Sequence, residues 1–329
     1  MRCTSVIKFI LLFSIIHSGE VDHFMVWGHE PSDCSDILNE KFNLEIQKVL
    51  DKINSENNSQ ECECTEVSGK ILKSFGLGLN SRIEKWMKRS VVVDKFPSKE
   101  TKLMDYYKRS IYYRKTWNPL FRLYDFLLIF QLDEVVNVDG ISLSLDKITH
   151  FTASGYFYYK RYLKSVKKGQ THEEALQTAI NSIGLRSEKG ILGRLANGIF
   201  SYSDLESNFQ GLMLALDLCN KESPQIILDE NGWYLTEPFD IRKYVNPYWD
   251  ESFYQSAYFL SKVKLVPRSI KKYCKMYQTE KVSEQFDEYK KRGVPSYSVL
   301  YLNELIRKGE IPDPESFTIQ KVCEELGED

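Results

Sequence analysis

The chain has 329 residues, a hydrophobic fraction of 42% and a formal net charge of -2. That length holds one large domain or two ordinary ones, and the composition lies in the globular range. The near-neutral balance gives no support to a nucleic-acid surface or an acidic disordered chain.

The first nineteen residues read as a signal peptide. Met1, Arg2 and Lys8 flank a short apolar run from Phe9 to Ile16, and the small residues Ser18 and Gly19 follow as a cleavage point. The run is too short to span a bilayer. Further on, the apolar stretch Phe126 to Phe130 is half a core helix. The expectation is therefore a mature chain with no transmembrane segment, periplasmic or secreted. Six cysteines remain after such a cleavage: Cys34, Cys62, Cys64, Cys219, Cys274 and Cys323. An even number in an exported chain permits disulfides, and Cys34 with Cys62 or Cys64 is the favoured local pair. Cys62-Glu63-Cys64 has no partner pair at zinc spacing.

Residues 20–134 read as an N-terminal helical region. An irregular arm over 21–31, with His23 and His29 in no assigned role, precedes helices over 35–53, 66–75, 80–88, 98–113 and 119–132. Asn57-Asn58-Ser59 is a glycan acceptor only in a eukaryotic secretory route. Residues 135–265 form the central core. It opens with a small hairpin over 135–143 around Asp139-Gly140, then a helix capped by Ser144 and running to about Lys168. Thr171 to Glu174 is a capping box whose helix stops at Gly184. The stretch 186–196 carries Glu188. Ser203 to Glu206 reads as a second capping box, opening a helix to Cys219. A hairpin over 226–236, with Asn231-Gly232 as a type I′ turn, leads into the ring-rich loop 239–251. Residues 266–329 are again helical, over 267–277, 279–292, 296–308 and from Asp313-Pro314 onward. The expected class is mainly α: a multi-helix, bundle-like domain with one or two short β-hairpins.

Polar residues stand out within the apolar central helices. Asp146 and His150 are four apart, as are Asp204 and Asn208, so each pair shares a helix face. Ala153, Ser154 and Gly155 follow the first pair, and Gly211 and Ala215 the second. Two helices with polar ends and small-residue middles can cross closely, gathering the polar groups at one end. Buried without partners, such groups cost a few kcal/mol each, about the scale that demands mutual pairing or an ion. Asp146, His150, Glu188, Asp204 and Asn208 are the candidate ligands of a divalent metal. Glu188, Asp204 and His150 are the candidate catalytic groups, with a carboxylate as general base. Glu188 with Asp204 also fits the two-carboxylate pattern of a glycosidase. The competing reading is structural: Asp146 and Asp204 sit in first helical turns, where the helix dipole favours an acid, and His150 bonds one of them. In the loop 239–251, Asp240, Arg242, Asn246, Trp249, Asp250 and Glu251 form a second candidate surface. Its plainer reading pairs Arg242 with Asp250 and buries Trp249.

The pattern Asp146-Lys147-x-x-His150-Phe151, then an acid at Glu188, then Ser201 or Ser203 followed by Asp204-x-x-x-Asn208-x-x-Gly211 resembles the YfiM-like family of uncharacterised bacterial envelope proteins. A fainter version occurs in VanZ-like membrane proteins. The resemblance spans about Leu145 to Leu218 and implies a shared helical core and an envelope location, without a reaction. The chain lacks the lipidation cysteine usual in that family, and Tyr156 to Lys168 carries five Lys or Arg, too many for a spanning helix. Two functions follow as expectations. One is a structural or interaction protein of the envelope, with envelope components as partners and no nucleic acid. The other is a hydrolase, metal-dependent or glycosidase-like, acting on envelope lipid or cell-wall material.

Overall fold

The computed structural model describes residues 21–56, 61–78, 81–115, 132–190, 198–260 and 262–325. The signal-peptide reading, the glycan motif at Asn57, and nearly all of the helix expected over 119–132 lie outside them. The fold is mainly α with short two-stranded antiparallel hairpins. No helix among the described residues is long and apolar enough to cross a membrane.

Helices α1 (Ser35–Asn54), α2 (Cys64–Ser74) and α3 (Arg82–Arg89) follow the expected periodicity. Gly76 at φ 100° closes the turn after α2. Helix α4 (Leu103–Arg109) is shorter than expected. Ser110 ends it: its hydroxyl donates to the Tyr107 carbonyl and accepts from the Tyr112 amide, competing with the helical pattern. Strands β1 (Val135–Val138) and β2 (Ile141–Ser144) pair with Val138 opposite Ile141. Asp139 and Gly140, both at positive φ, make the two-residue turn.

Strand β2 runs straight into α5 (Leu145–Thr149). A π turn (His150–Ser154) and α6 (Gly155–Val166) continue the same rod. The capping box at Thr171 opens α7 (His172–Ala179); a π turn (Ile180–Leu185) and α8 (Arg186–Lys189) follow. After β3 (Ile199–Phe200) comes α9 (Tyr202–Asp217), buried on nearly every face over its first three turns. It is the hub of the core, packed on α6, the π turn, α2 and α13 (Tyr297–Arg307). Its cap is Ser201, whose hydroxyl accepts from the Asp204 amide. The capping box expected at Ser203 is absent because Glu206 turns away. Glu206 accepts instead from Gln210 (2.7 Å), Asn246 (2.9 Å) and Ser296 (2.6 Å).

Strands β4 (Ile226–Asp229) and β5 (Gly232–Leu235) form the next hairpin. Glu230 and Asn231 are its turn, and neither has positive φ. The expected type I′ turn at Asn231-Gly232 is displaced by one residue, because Gly232 (φ 117°) already pairs with Asp229. Strand β6 (Ala257–Tyr258) pairs with β3. The tail comprises α10 (Lys262–Ile270), α11 (Cys274–Tyr277), α12 (Glu280–Arg292), α13 and α14 (Ile319–Glu324).

The disulfides join Cys64 to Cys219 and Cys274 to Cys323. The pairing favoured from sequence, Cys34 with Cys62 or Cys64, does not form. Cys34 occupies the N-cap position of α1, where its buried thiol donates to the Asn137 carbonyl. Cys64 instead faces the end of α9, tying α2 to it.

Candidate functional site

The rod α5–α6 and helix α9 cross at Gly155 and Gly211. A Cβ built on Gly211 would lie 1.8 Å from the Phe151 carbonyl oxygen, and one on Gly155 would lie 2.6 Å from the Gly211 Cα. The backbones therefore touch, and the polar residues just N-terminal on each helix are brought together.

At the centre of the cluster is Lys147, 1% exposed. Its ammonium lies 2.6 Å from Asp204 Oδ1, 2.8 Å from Glu251 Oε1 and 3.4 Å from Asp146 Oδ1. Burial disfavours its charge, but these carboxylates reverse the effect and hold its pKa well above the ordinary lysine value. His150 spends both ring nitrogens locally: Nε2 lies 3.2 Å from Asp204 Oδ2 and Nδ1 2.9 Å from Asn208 Oδ1. Ser144, just before α5, donates its hydroxyl to Asp146.

Glu251 closes the cluster from the other side. Its Oε1 accepts from Ser201 (3.1 Å) and Ser203 (3.1 Å) as well as from Lys147. Its Oε2 lies 3.6 Å from His23 Nε2, while His23 Nδ1 lies 3.4 Å from Asp250 Oδ1. Asp250 in turn accepts from Tyr289 of α12 at 3.1 Å. The network thus runs from the N-terminal turn, through α5 and α9, to α12.

The carboxyls divide by environment. Burial raises the Asp204 carboxyl, but His150 and Lys147 outweigh it and hold the pKa below the usual value. Glu251 behaves alike, its burial outweighed by Lys147 and His23. Asp146 is different. Burial raises it, and Lys147 does not compensate fully against its neighbour Asp204. One ammonium among three carboxylates leaves Asp146 as the group readiest to keep its proton. Burial lowers the His23 pKa, but Asp250 and Glu251 more than restore it, so the ring lies above its ordinary value.

Of the residues singled out from sequence, Asp146, His150, Asp204 and Asn208 meet in this cluster. Glu188 stands one step away: buried, it accepts from the Ser201 amide at 3.1 Å and so orients the α9 cap. Asp146, His150 and Asp204 can each offer an atom within 4.8 Å of the others, which is compatible with a metal ion. The cluster faces solvent at His150, whose side chain is 20% exposed. Beneath it Phe151 packs against Phe42, Tyr244 and Trp249 at 5.6–6.1 Å.

Sequence reading left three participants unassigned. Lys147 stood inside the quoted motif, but a lysine between Asp146 and His150 gives no sign of facing inward. Glu251 was placed in a loop surface; it belongs to the cluster because the turn Pro247–Trp249 delivers it there. His23, assigned no role, is buried and doubly flanked by carboxylates, while His29 stacks on Phe96 at 4.7 Å. Arg242 does not pair with Asp250. It reaches Asp36, Asp139 and Asp240 on the surface, because Asp250 is drawn inward by His23 and Tyr289. Trp249 is fully buried, as the plainer reading of that loop had it.

Against family models, characterised proteins and solved structures alike, this chain finds no match, so its site stands on its own geometry.

Proposed function

We propose that the chain is an exported structural or interaction protein of the cell envelope, in which the Lys147-centred cluster locks the N-terminal turn, α5, α9 and α12 into one body. The observation that carries this reading is the Lys147 ammonium, 2.6 Å from Asp204 and 2.8 Å from Glu251. It supplies the positive charge that a divalent ion would otherwise bring. His150 has both nitrogens engaged, and Phe151 seals the base with rings. Export is supported by the basic–apolar–small pattern of residues 1–19 and by two disulfides, which persist in oxidising compartments. The envelope location rests on the resemblance of residues 145–218 to the YfiM-like family.

A second reading is a metal-dependent hydrolase of envelope lipid or cell-wall material. It is favoured by the mutual approach of Asp146, His150 and Asp204 and by the exposed edge of His150. There Asp146 and His150 would hold the ion, which would polarise the substrate, and Asp204 beside them would serve as general base toward the attacking water. Asn208 would orient His150, and Glu188 would act through Ser201.

One variant separates the two. His150→Ala is made in the full chain, and its melting temperature and tightly bound metal are measured beside the wild type. A lowered melting temperature, with no stoichiometric metal in the wild type, supports the lock. An unchanged melting temperature with loss of a stoichiometric metal overturns it in favour of the hydrolase.

A further inference from the structure

Residues 81–115 contain eleven Lys or Arg against four Asp or Glu, in a chain whose net charge is -2. Residues 262–279 contain six Lys or Arg and no acid. The fold places these two runs side by side. Lys272 donates to the Arg109 carbonyl at the end of α4, and the Lys262 ammonium lies 4.6 Å from the Tyr112 ring centre. Inside the first run, Lys99 reaches back to the carbonyls of Arg89 and Ser90 at 3.3–3.4 Å. Lys95, buried, does the same to Met87, Lys88 and Ser90. The end of α3 is thereby tied to the loop that leads into α4.

The cations that remain at the surface, Arg89, Lys102, Lys108, Arg268, Lys271 and Lys275, are exposed. Apolar side chains in or next to the same two runs of sequence are exposed as well. Val91 is 88% exposed and Leu260 74%, with Val92, Leu103, Met104 and Val263 exposed beside them. Leu260 holds positive φ, a conformation a branched residue adopts at a cost, and projects its side chain outward.

We infer that this combined face, α3–α4 with α10–α11, docks on the surface of an anionic lipid bilayer. Phosphate headgroups meet the lysines and arginines, while the valine and leucine side chains enter the acyl boundary. Charge complementarity selects the occupant's sign. The large exposed apolar side chains in and beside these runs carry no ring, which favours lipid over single-stranded nucleic acid, where rings would stack on bases. The inference names the partner of the envelope protein proposed above. Its charge and geometry do not depend on the Lys147 cluster.

The test is co-sedimentation of the full chain with large vesicles of equimolar phosphatidylglycerol and phosphatidylcholine, and with vesicles of phosphatidylcholine alone, at about 0.1 M salt. Binding to the anionic vesicles alone, released at high salt, is expected. The triple variant Arg268→Glu, Lys271→Glu, Lys275→Glu should weaken it about 10-fold or more. The variant Val91→Ser, Leu260→Ser should also weaken it, with Lys290→Glu and Lys291→Glu on α12 as an unaffected control. The altered side chains are exposed, and circular dichroism verifies folding. No binding to anionic vesicles overturns the inference. So does binding that the serine variant leaves intact, which would mark a purely electrostatic surface for any polyanion. Vesicle binding is read in vitro whatever compartment the protein occupies. A cytoplasmic location found by cell fractionation would remove the envelope reading and leave this one standing.

Discussion

Gly155 and Gly211 meet backbone to backbone where the α5–α6 rod crosses α9, with no room for a methyl group at either position. Gly211→Ala puts a Cβ against the Phe151 carbonyl, which is main chain and cannot rotate aside. The helix itself would gain up to ~1 kcal/mol from replacing glycine. Separation of the rods should outweigh that gain, for a net loss of about 1–3 kcal/mol. Urea unfolding checks it; a variant as stable as the wild type would show that the crossing is looser than described.

The close crossing was legible because small residues after a polar pair leave a pattern at helical spacing on both partners. The positions of α1, α2 and the Thr171 capping box were legible for the same reason: their signals are local. What failed was set by distant contacts. Ser203 looked like a cap, yet Ser201 took the position once Glu206 found Asn246 and Ser296. Cys34 looked like the partner of Cys62 or Cys64 because they are near in sequence, whereas Cys64 bonds a cysteine 155 positions away. His23 and Glu251 come to the cluster from distant parts of the chain, and no spacing rule connects residues 228 apart.

Lys147→Met leaves Asp204 and Glu251 buried beside each other without their ammonium. Removing one partner of a buried ion pair costs about 3–5 kcal/mol. The deficit should be largest at neutral pH, where both carboxylates are charged. It should shrink as acid protonates them, since neutral carboxyls no longer need the lysine. Denaturant melts at neutral and mildly acidic pH measure the difference. An equal deficit at both would mean that Lys147 contributes packing alone.

The wild type should be most stable at mildly acidic pH and lose stability on both sides. Asp204 and Glu251 have folded pKa values below their unfolded ones. Their contribution is present above about pH 4 and is lost as pH falls through the folded values. His23 is shifted the other way: its contribution is present below about pH 6.5 and is lost as pH rises through the raised folded value. Asp133, pushed up to about 7 mainly by burial, costs stability as pH rises from about 4 to about 7 and adds no further pH dependence above that. His23→Gln should therefore lower the melting temperature more at pH 5.5 than at pH 8.5, about one unit below and about two units above the ordinary imidazole value. A loss of equal size at the two values would dissociate His23 from its carboxylate neighbours.

The two disulfides should contribute unequally. Cys64–Cys219 spans 155 residues and Cys274–Cys323 spans 49. Closing a longer loop removes more freedom from the unfolded chain, and the logarithmic dependence makes the longer bridge about 1 kcal/mol more stabilising. Position points the same way. The first bridge ties α2 to the end of α9, alongside the Ser68 hydroxyl that donates to the Ala215 carbonyl at 2.7 Å. The second fastens only the tail helices α11 and α14. The double variant Cys64→Ser, Cys219→Ser should thus unfold at lower urea than Cys274→Ser, Cys323→Ser, with both below the oxidised wild type. Hydrogen exchange adds a local readout. Loss of the first bridge should speed exchange in α2 and the last turn of α9, whereas loss of the second should speed it in α11 and α14 and leave α9 protected. Fast exchange in α9 on loss of the second bridge would mean that the tail, rather than the α2 contact, holds the hub of the core closed.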